Sequence, residues 1–447
     1  MLLCWLALWW LNPLFTQPWP FQGLMLVAFA GYAWAIVTTL HLPPLPLRTQ
    51  LLVVLGGTLL LHSALLPAPF AFSDDIFRYI WNGRVSAAGI DPYRYAPGDP
   101  ALSWLRDPWI WVNVNAKEQP SPYPPLLEAT FALIYRLTPE SLLGTKAAMI
   151  ALNLSTSALL ALLLHLRSQA PIWALLYAWN PQTVFQVGFS GHNEPVMLFW
   201  LVLALLLAEA RDHPRLQRFG FLLAAYALAL ATMAKIIPIA IAPVLFRRWG
   251  WRAAGVYAGT LAAVYGSLLF WRGPTVLNGV LYEAGTAQFN DGLYYLFFRL
   301  FGWLLPGDPH DPARLTMALI IVIVIGSLLF AKKTDLAAPL GITFAAAILL
   351  APSVAPWYVL WVLPFVALNV LPRPWHDASY RQQLATSYWL FFSWSVTFSE
   401  LFYFSTTAVW RVAHILVYLV PLAGLSVGWM LSRRQQRKEA ISHGRRV

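Results

Sequence analysis

Apolar stretches of bilayer length recur along this chain, at 2–16, 21–40, 49–68, 146–166, 171–188, 194–209, 253–271, 312–331, 336–351, 355–371, 384–403 and 408–431. A helix needs about 20 such residues to cross the hydrocarbon core. Backbone in lipid must satisfy its own hydrogen bonds, which leaves helices or a closed barrel, and runs of this length suit helices. The segment "FGFLLAAYALALATMAKIIPIAIAPVLF" (219–246) is too long for one span and is interrupted by Lys235 and Pro238, so it reads as a hairpin of two short helices. The expected fold is an all-α polytopic membrane protein with about 13 to 14 transmembrane helices. Charged residues make up 11% of the chain, against about 25% in soluble domains, which excludes a soluble globular protein.

Lysine and arginine set the orientation. Arg167, the trio Arg211, Arg215 and Arg218, then Arg247, Arg248 and Arg252, Lys332 and Lys333, Arg373 and Arg381, and the basic tail alternate onto one side, expected to be cytoplasmic. With the hairpin counted, both termini lie inside. The net charge of +11 is thereby a topology signal, and nucleic acid is set aside as a partner. The single cysteine, Cys4, excludes an internal disulfide and a cysteine metal cluster. The N-terminus lacks the basic region and cleavage site of a signal peptide and reads as a first membrane segment. The expected organisation is one membrane domain: N-terminal spans 1–68, an outer loop 69–145, a membrane bundle 146–431 and a basic cytoplasmic tail 432–447.

On this topology every unusual polar motif shares the outer face. Six of the 19 acidic residues fall between 69 and 123, beginning with Asp74 and Asp75 in "FSDDIFRYIWNGRVSAAGIDPYRYAP". Residues 74–88 read as a short helix with Ser73 as N-cap and Gly89 and Pro92 beyond its end. Asp74 and Arg78, at i and i+4, share a face, while Phe77, Ile80 and Trp81 give an apolar strip suited to the membrane interface. The plain alternative is two capping acids and a surface ion pair. "DPYRYAP" and "PSPYPPLLE" are proline-set segments whose Tyr93 and Tyr123 suit a pocket wall. In "SGHNEP", His192, Asn193 and Glu194 stand between two apolar helices; a divalent metal on His192 and Glu194 is weakly supported by spacing, and no cofactor is expected. Lys235, flanked by apolar residues and followed by Pro238, calls for an anionic partner, unless it merely snorkels. "QFNDGLYYLFFRL" places Asn290 and Asp291 at the start of an interfacial helix bearing Arg299. Trp357 and Tyr358 open another helix, more often an aromatic belt than a site.

These groups suit attack of an acceptor hydroxyl on a sugar carried by a lipid phosphate. A phosphate leaves as an anion and needs no acid to protonate it, so one carboxylate to take the acceptor's proton and a cation on the departing phosphate suffice. Asp74 or Asp75 would be the base, and Lys235 with Arg78 or Arg299 would hold the phosphate.

In order along the chain, "FSDDIFRYIWNGRVSAAGIDPYRYAP", "SPYPPL", "WNPQTVFQVGFSGHNEPVMLF", "MAKIIPIAIAP" and "APWYVLW" resemble the bacterial polyprenyl-phosphate-sugar-dependent glycosyltransferases of the GT-C fold, in particular the mannosyltransferase-like group. The resemblance implies transfer of a hexose, mannose by similarity, from a polyprenyl-phosphate donor to a hydroxyl acceptor on a lipid or glycan, at the outer face of a bacterial inner membrane. It implies an acidic base in the first outer loop, with Asp74 favoured, and Arg78, Tyr79, Trp81 and Arg84 around it. Asn82 departs from the acid more usual at that point, and three spans precede the loop where the simplest members have one. The rival readings are a transporter or flippase of a lipid-linked sugar, which would place charges deep in the spans, a structural or assembly protein, which leaves Lys235 unexplained, and a glycan ligase.

Overall fold

In the computed structural model of the chain, residues 1–8, 18–68, 72–210, 219–286, 288–330, 336–369, 380–404 and 407–442 are described. Arg211, Arg215, Arg218, Lys332, Lys333, Arg373 and the end of the basic tail, on which part of the orientation rests, lie outside them, as does most of the first apolar run. The described chain is all-α, with a single isolated bridge between Phe289 and Ser353.

The chain opens with α1 (Leu2–Ala7), α2 (Pro18–His41) and α3 (Leu47–Ser63), followed by α4 (Asp75–Ala87), the single turn α5 (Ile110–Asn113) and α6 (Pro125–Leu137). The bundle continues with α7 (Leu142–Leu166), α8 (Leu175–Ala178), α9 (Pro181–Val184), α10 (Glu194–Glu209), α11 (Gly220–Ala234), α12 (Ala242–Trp249) and α13 (Trp251–Arg272). Then come α14 (Thr275–Thr286), α15 (Gly292–Leu304), α16 (His310–Leu329), α17 (Ala337–Leu349), α18 (Leu363–Leu368), α19 (Tyr380–Ser395) and α20 (Thr407–Ser442). Among the described residues five helical segments are long and apolar enough to cross a membrane: Trp19–His41, Leu142–Leu166, Trp251–Arg272, His310–Leu329 and Val412–Met430.

Helix α13 carries its own ruler. Trp251 and Trp271 are each 80% exposed at its two ends. Twenty residues at 1.5 Å rise separate them by about 30 Å, the thickness of the hydrocarbon core, and exposed tryptophan is at home at both interfaces.

Among the described residues, several apolar runs do not become single helices: 384–403 is divided at Val396, where α19 gives way to a 3-10 helix, and two others break earlier. In 171–188 the chain forms a 3-10 turn (Pro171–Ala174), α8, α9 and a π-turn (Phe185–Phe189). The break falls where the Asn180 side chain accepts from the backbone of Gln182 and Pro181 supplies no N–H, a helix start in mid-run. In 355–371, Pro356 and Pro364 each open a separate short piece, a 3-10 helix (Pro356–Trp361) and α18. The expected break in 219–246 is found at Lys235, whose backbone is extended (φ −147°, ψ 141°) between α11 and a 3-10 turn over Ile237–Ala240.

Helix α4 is more deeply placed than its strip of Phe77, Ile80 and Trp81 leads one to expect. Those side chains are at most 3% exposed, and every residue from Ile76 to Val85 is buried by protein, so the strip packs against protein and not against lipid. Gly83 makes this possible: a Cβ there would stand 2.6 Å from the carbonyl oxygen of Phe131 in α6. The two helices therefore pack backbone to backbone, with Tyr79 stacked on Phe131 at 4.7 Å between ring centroids.

Candidate active site

The N-terminus of α4 presents two carboxylates. Asp74 is the cap residue and is exposed; Asp75, in the first turn, is half-buried. The expected cap, Ser73, stands one residue earlier and accepts from the backbone N–H of Asp75 at 3.3 Å. One side chain holds both acids, since Asn115 Nδ2 donates to Asp74 Oδ1 (2.8 Å) and to Asp75 Oδ1 (2.7 Å). Burial, then the neighbouring Asp74 charge, push the Asp75 carboxyl up to about 6, against the opposing effects of Asn115 and Lys235.

The second wall comes from the turn before α10. Gly191 takes φ +72°, and a Cβ there would meet Ile76 Cδ1 at 2.8 Å, so the turn closes tightly over α4. It delivers His192, whose Nδ1 lies 3.4 Å from the Tyr79 hydroxyl and 3.7 Å from Asp75 Oδ2. The imidazole is 1% exposed and stacks on Trp357 with centroids 3.8 Å apart. Burial, then the charge of Lys235, hold His192 well below its usual range, so it is neutral.

The third wall is the chain break after α11. Lys235 pairs with the fully buried carboxylate of Glu194, and its ammonium lies 5.7 Å and 5.5 Å from the ring centroids of Tyr358 and Trp361. Among the described residues, buried Glu194 Oε2, His192 Nε2, Asn193 Oδ1 and Ser190 Oγ find no hydrogen-bond partner. Such groups are costly unless something satisfies them, and a polyhydroxylated ligand is well suited to do so.

The structure thus gathers Asp75, Tyr79, His192, Glu194, Lys235, Trp357 and Tyr358 from four parts of the chain. Among the described residues no group of three or more His, Cys, Asp and Glu side chains is disposed to hold a metal ion. The carboxylate of Glu194 turns to Lys235 instead, and the Nδ1 of His192 to Tyr79.

Other expected residues take different positions. Arg78 is 2% exposed, and its guanidinium donates to Asn82 Oδ1 and to the carbonyls of Asn115, Ala116 and Gln119, at 2.6 to 3.1 Å. A fork so committed is a brace for the loop that presents Asn115, which departs from the expected phosphate contact. Arg84 likewise pairs with Asp107 and Glu140 and donates to the Leu105 carbonyl at 2.8 Å, with the ring of Trp81 beside it; it locks residues 105–140 onto α4. Arg299 is exposed on α15 over Tyr295. Asn290 (φ 52°) donates to the Val354 carbonyl at 3.2 Å and its own carbonyl accepts from Tyr418, while Asp291 accepts from Gln288. The Asn290–Asp291 turn therefore anchors the segment leading to Trp357. Tyr93 donates to the Tyr123 carbonyl at 2.8 Å, and the Tyr123 ring meets Tyr79 edge-on at 5.5 Å, so this pair backs Tyr79.

Sequence reasoning overlooked Asn115, Glu128 and the buried pair Gln186–Glu400. Asn115 is one polar residue in a polar loop and offers no signal. Glu400, an acid inside an apolar run, does offer one. Its carboxylate accepts from Gln186 at 3.0 Å, and the Gln186 carbonyl accepts the backbone N–H of His192 at 2.9 Å, which ties the π-turn to the site.

Fold and site define a class: a polytopic membrane protein with one carboxylate-centred polar site gathered at an end of its bundle. The chain belongs to the MptA_B family of glycosyltransferases, described as alpha-(1->6)-mannopyranosyltransferase, N-terminal domain, which it matches over residues 5–251. That match includes the two acids, His192, Glu194 and Lys235. Among curated relatives, a probable alpha-(1->6)-mannopyranosyltransferase of Mycolicibacterium smegmatis is 26% identical over 374 residues, covering 71% of this chain and 66% of the relative. An alpha-(1->6)-mannopyranosyltransferase of Mycobacterium tuberculosis is 25% identical over 387 residues, covering 69% and 64%. The chain spans about two thirds of the length of these relatives.

Proposed function

We propose that the protein transfers a mannosyl residue from a polyprenyl-phosphate donor to a hydroxyl of a lipid or glycan acceptor, at the outer face of a bacterial inner membrane. The observation that carries the reading is the convergence of a half-buried carboxylate, Asp75, with a cation set among aromatics, Lys235, across the neutral His192. The family membership and the relatives' names support mannose as the sugar.

Asp75 is the base. Its carboxyl, raised to about 6, is ionised at neutral pH yet basic enough to accept a proton, whereas Asp74 is exposed at the N-cap position, its side chain held by Asn115 and making no capping bond. As the acceptor oxygen bonds to the anomeric carbon, its proton passes to Asp75. The bond from that carbon to the phosphate oxygen breaks, and its electron pair leaves with the phosphate, which Lys235 stabilises. Trp357, Tyr358 and the unpartnered polar atoms around His192 receive the sugar.

The test is transfer of radiolabelled mannose from polyprenyl-phosphate-mannose to a membrane lipid extract by the purified protein in lipid. Transfer that is lost in Asp75→Asn and retained in Asp74→Asn supports the assignment. Movement of the labelled lipid between leaflets without transfer would make the protein a carrier and overturn it.

A further inference from the structure

Helix α13 places a second cleft at the level of lipid headgroups. Its two exposed tryptophans mark the interfaces, so Trp271 stands at one of them and Arg272, the next residue, reaches beyond the hydrocarbon. Around them lies a cleft of about 570 Å³, closed by α6 and the end of α4. Eleven residues of helix put Ser86, on its wall, about 16 Å from Asp75. Every residue from Ile76 to Val85 between them is buried, so the cleft is not part of the site already described.

Its walls carry more positive than negative charge. Arg136, exposed in the last turn of α6, has no ion-pair partner among the described residues. Arg272 faces Asp91 at 2.9 Å, and that pair is itself open to solvent, with the arginine side chain 39% exposed. The other acid is no counterweight. Glu128 uses Oε1 to accept from Asn82 and Ser121, while its buried Oε2 has no partner among the described residues. Burial pushes its carboxyl up to about 7, and an anion beside it would push it further, so Oε2 meets an anion as a protonated donor. A cation in the last turn of a helix is favoured by the helix dipole in any case. The dipole does not account for an open cleft between two such ends, nor for a buried carboxyl with one oxygen left over.

Next to the arginines the surface is apolar: Leu268 lines the cleft, and Leu137, Phe270 and Trp271 are exposed. Cations at headgroup depth beside an exposed apolar wall fit a lipid whose headgroup bears a phosphodiester. A soluble anion lacks the chains, and a zwitterionic phospholipid brings its own cation against the arginines. We propose that this cleft holds the headgroup of an anionic phospholipid, its phosphate between Arg136 and Arg272 and its acyl chains along the end of α13. The lipid ties α13 to α6, which packs backbone to backbone on α4, so its binding stabilises the frame that carries Asp75.

The experiment uses the full chain in phosphatidylcholine nanodiscs with a rising fraction of phosphatidylglycerol. Thermal melts are combined with native mass spectrometry of the lipids that stay bound after release into detergent. The melting temperature should climb with phosphatidylglycerol and saturate, and the retained lipid should be phosphatidylglycerol. Arg136→Gln should raise the half-saturating fraction about tenfold. It should leave the melt in pure phosphatidylcholine where it was, since no ion pair is broken. Arg272→Gln should raise the fraction likewise and also lower the melt in pure phosphatidylcholine, because it leaves Asp91 unpaired. Arg299→Gln, which removes another exposed arginine on α15, should shift the fraction by less than about twofold. Equal shifts in Arg136→Gln and Arg299→Gln would reduce the effect to general surface charge and overturn the proposal. So would a wild type indifferent to phosphatidylglycerol, or inorganic phosphate producing the same rise in pure phosphatidylcholine, which would make the cleft a site for a free anion. No arm measures sugar transfer, so the transferase reading stands or falls separately.

Discussion

The Asp75 carboxylate faces the His192 imidazole at 3.7 Å, across the contact between α4 and the turn that opens α10. Such a pair would ordinarily form an ion pair, lowering the acid and raising the base. Here burial, reinforced by Lys235, keeps His192 neutral, and burial with the Asp74 charge keeps Asp75 high. The pH dependence follows. The acid limb of kcat/KM should lie near pH 6, with transfer falling as pH drops through it and Asp75 protonates. A limb at about pH 4, the ordinary carboxylate value, would show that Asp75 is not the titrating base.

The same shift bears on stability. An Asp whose carboxyl is raised in the folded protein binds its proton more tightly there than in the unfolded chain. Its cost is therefore absent below about pH 4, grows up to about pH 6 and is full above it. Asp75→Asn keeps an acceptor for Asn115 and removes the buried charge. The variant should be inactive yet more stable at pH 7.5, by no more than about 3 kcal/mol, with the difference vanishing towards pH 4. Thermal melts in nanodiscs at both pH values decide this; an equal or lower melting temperature at pH 7.5 contradicts the assigned burial cost.

Asn115 and Arg78 give a linked prediction. Asn115 donates to both acids, and Arg78 holds its loop through three carbonyls, including Ala116 at φ 44°. Asn115→Ala removes a bond that lowers the Asp75 carboxyl, so the acid limb should move to higher pH. Arg78→Lys, which cannot reproduce the fork, should move it the same way while KM for the donor stays fixed. A rise in donor KM with an unmoved pH profile would instead return Arg78 to the phosphate.

How much of this could be read from the sequence depends on the range of the interaction. The break at Lys235 was legible because a lysine and a proline interrupt an apolar run within four residues, and "SGHNEP" was legible because three polar residues stand between two apolar helices. The partition of 171–188 was less so: its hydropathy is that of a span, and only Asn180–Pro181 marks the internal start. Arg78 and Arg84 show the limit. Apart from Asn82, four residues on from Arg78, their hydrogen-bond partners lie 21 to 56 residues away in loops without regular spacing, and nothing local distinguishes a guanidinium bracing its own backbone from one awaiting a phosphate. The choice between Asp74 and Asp75 depended on burial, which adjacent residues at a helix start do not reveal.

The pair of Lys235 and Glu194 separates a structural from a chemical role. Glu194 is fully buried, so Lys235→Met strands its carboxylate and should cost about 3–5 kcal/mol, the usual loss when one partner of a buried pair is removed. Adding Glu194→Gln removes the stranded charge and should restore most of the stability. If Lys235 serves only to neutralise Glu194, activity returns with it. If Lys235 holds the departing phosphate, the double variant melts near the wild-type temperature and still fails to use the donor, because the cation is missing where negative charge develops. Melting curves and initial rates on the wild type, both single variants and the double variant complete the cycle; recovered turnover in the double variant would remove Lys235 from the chemistry.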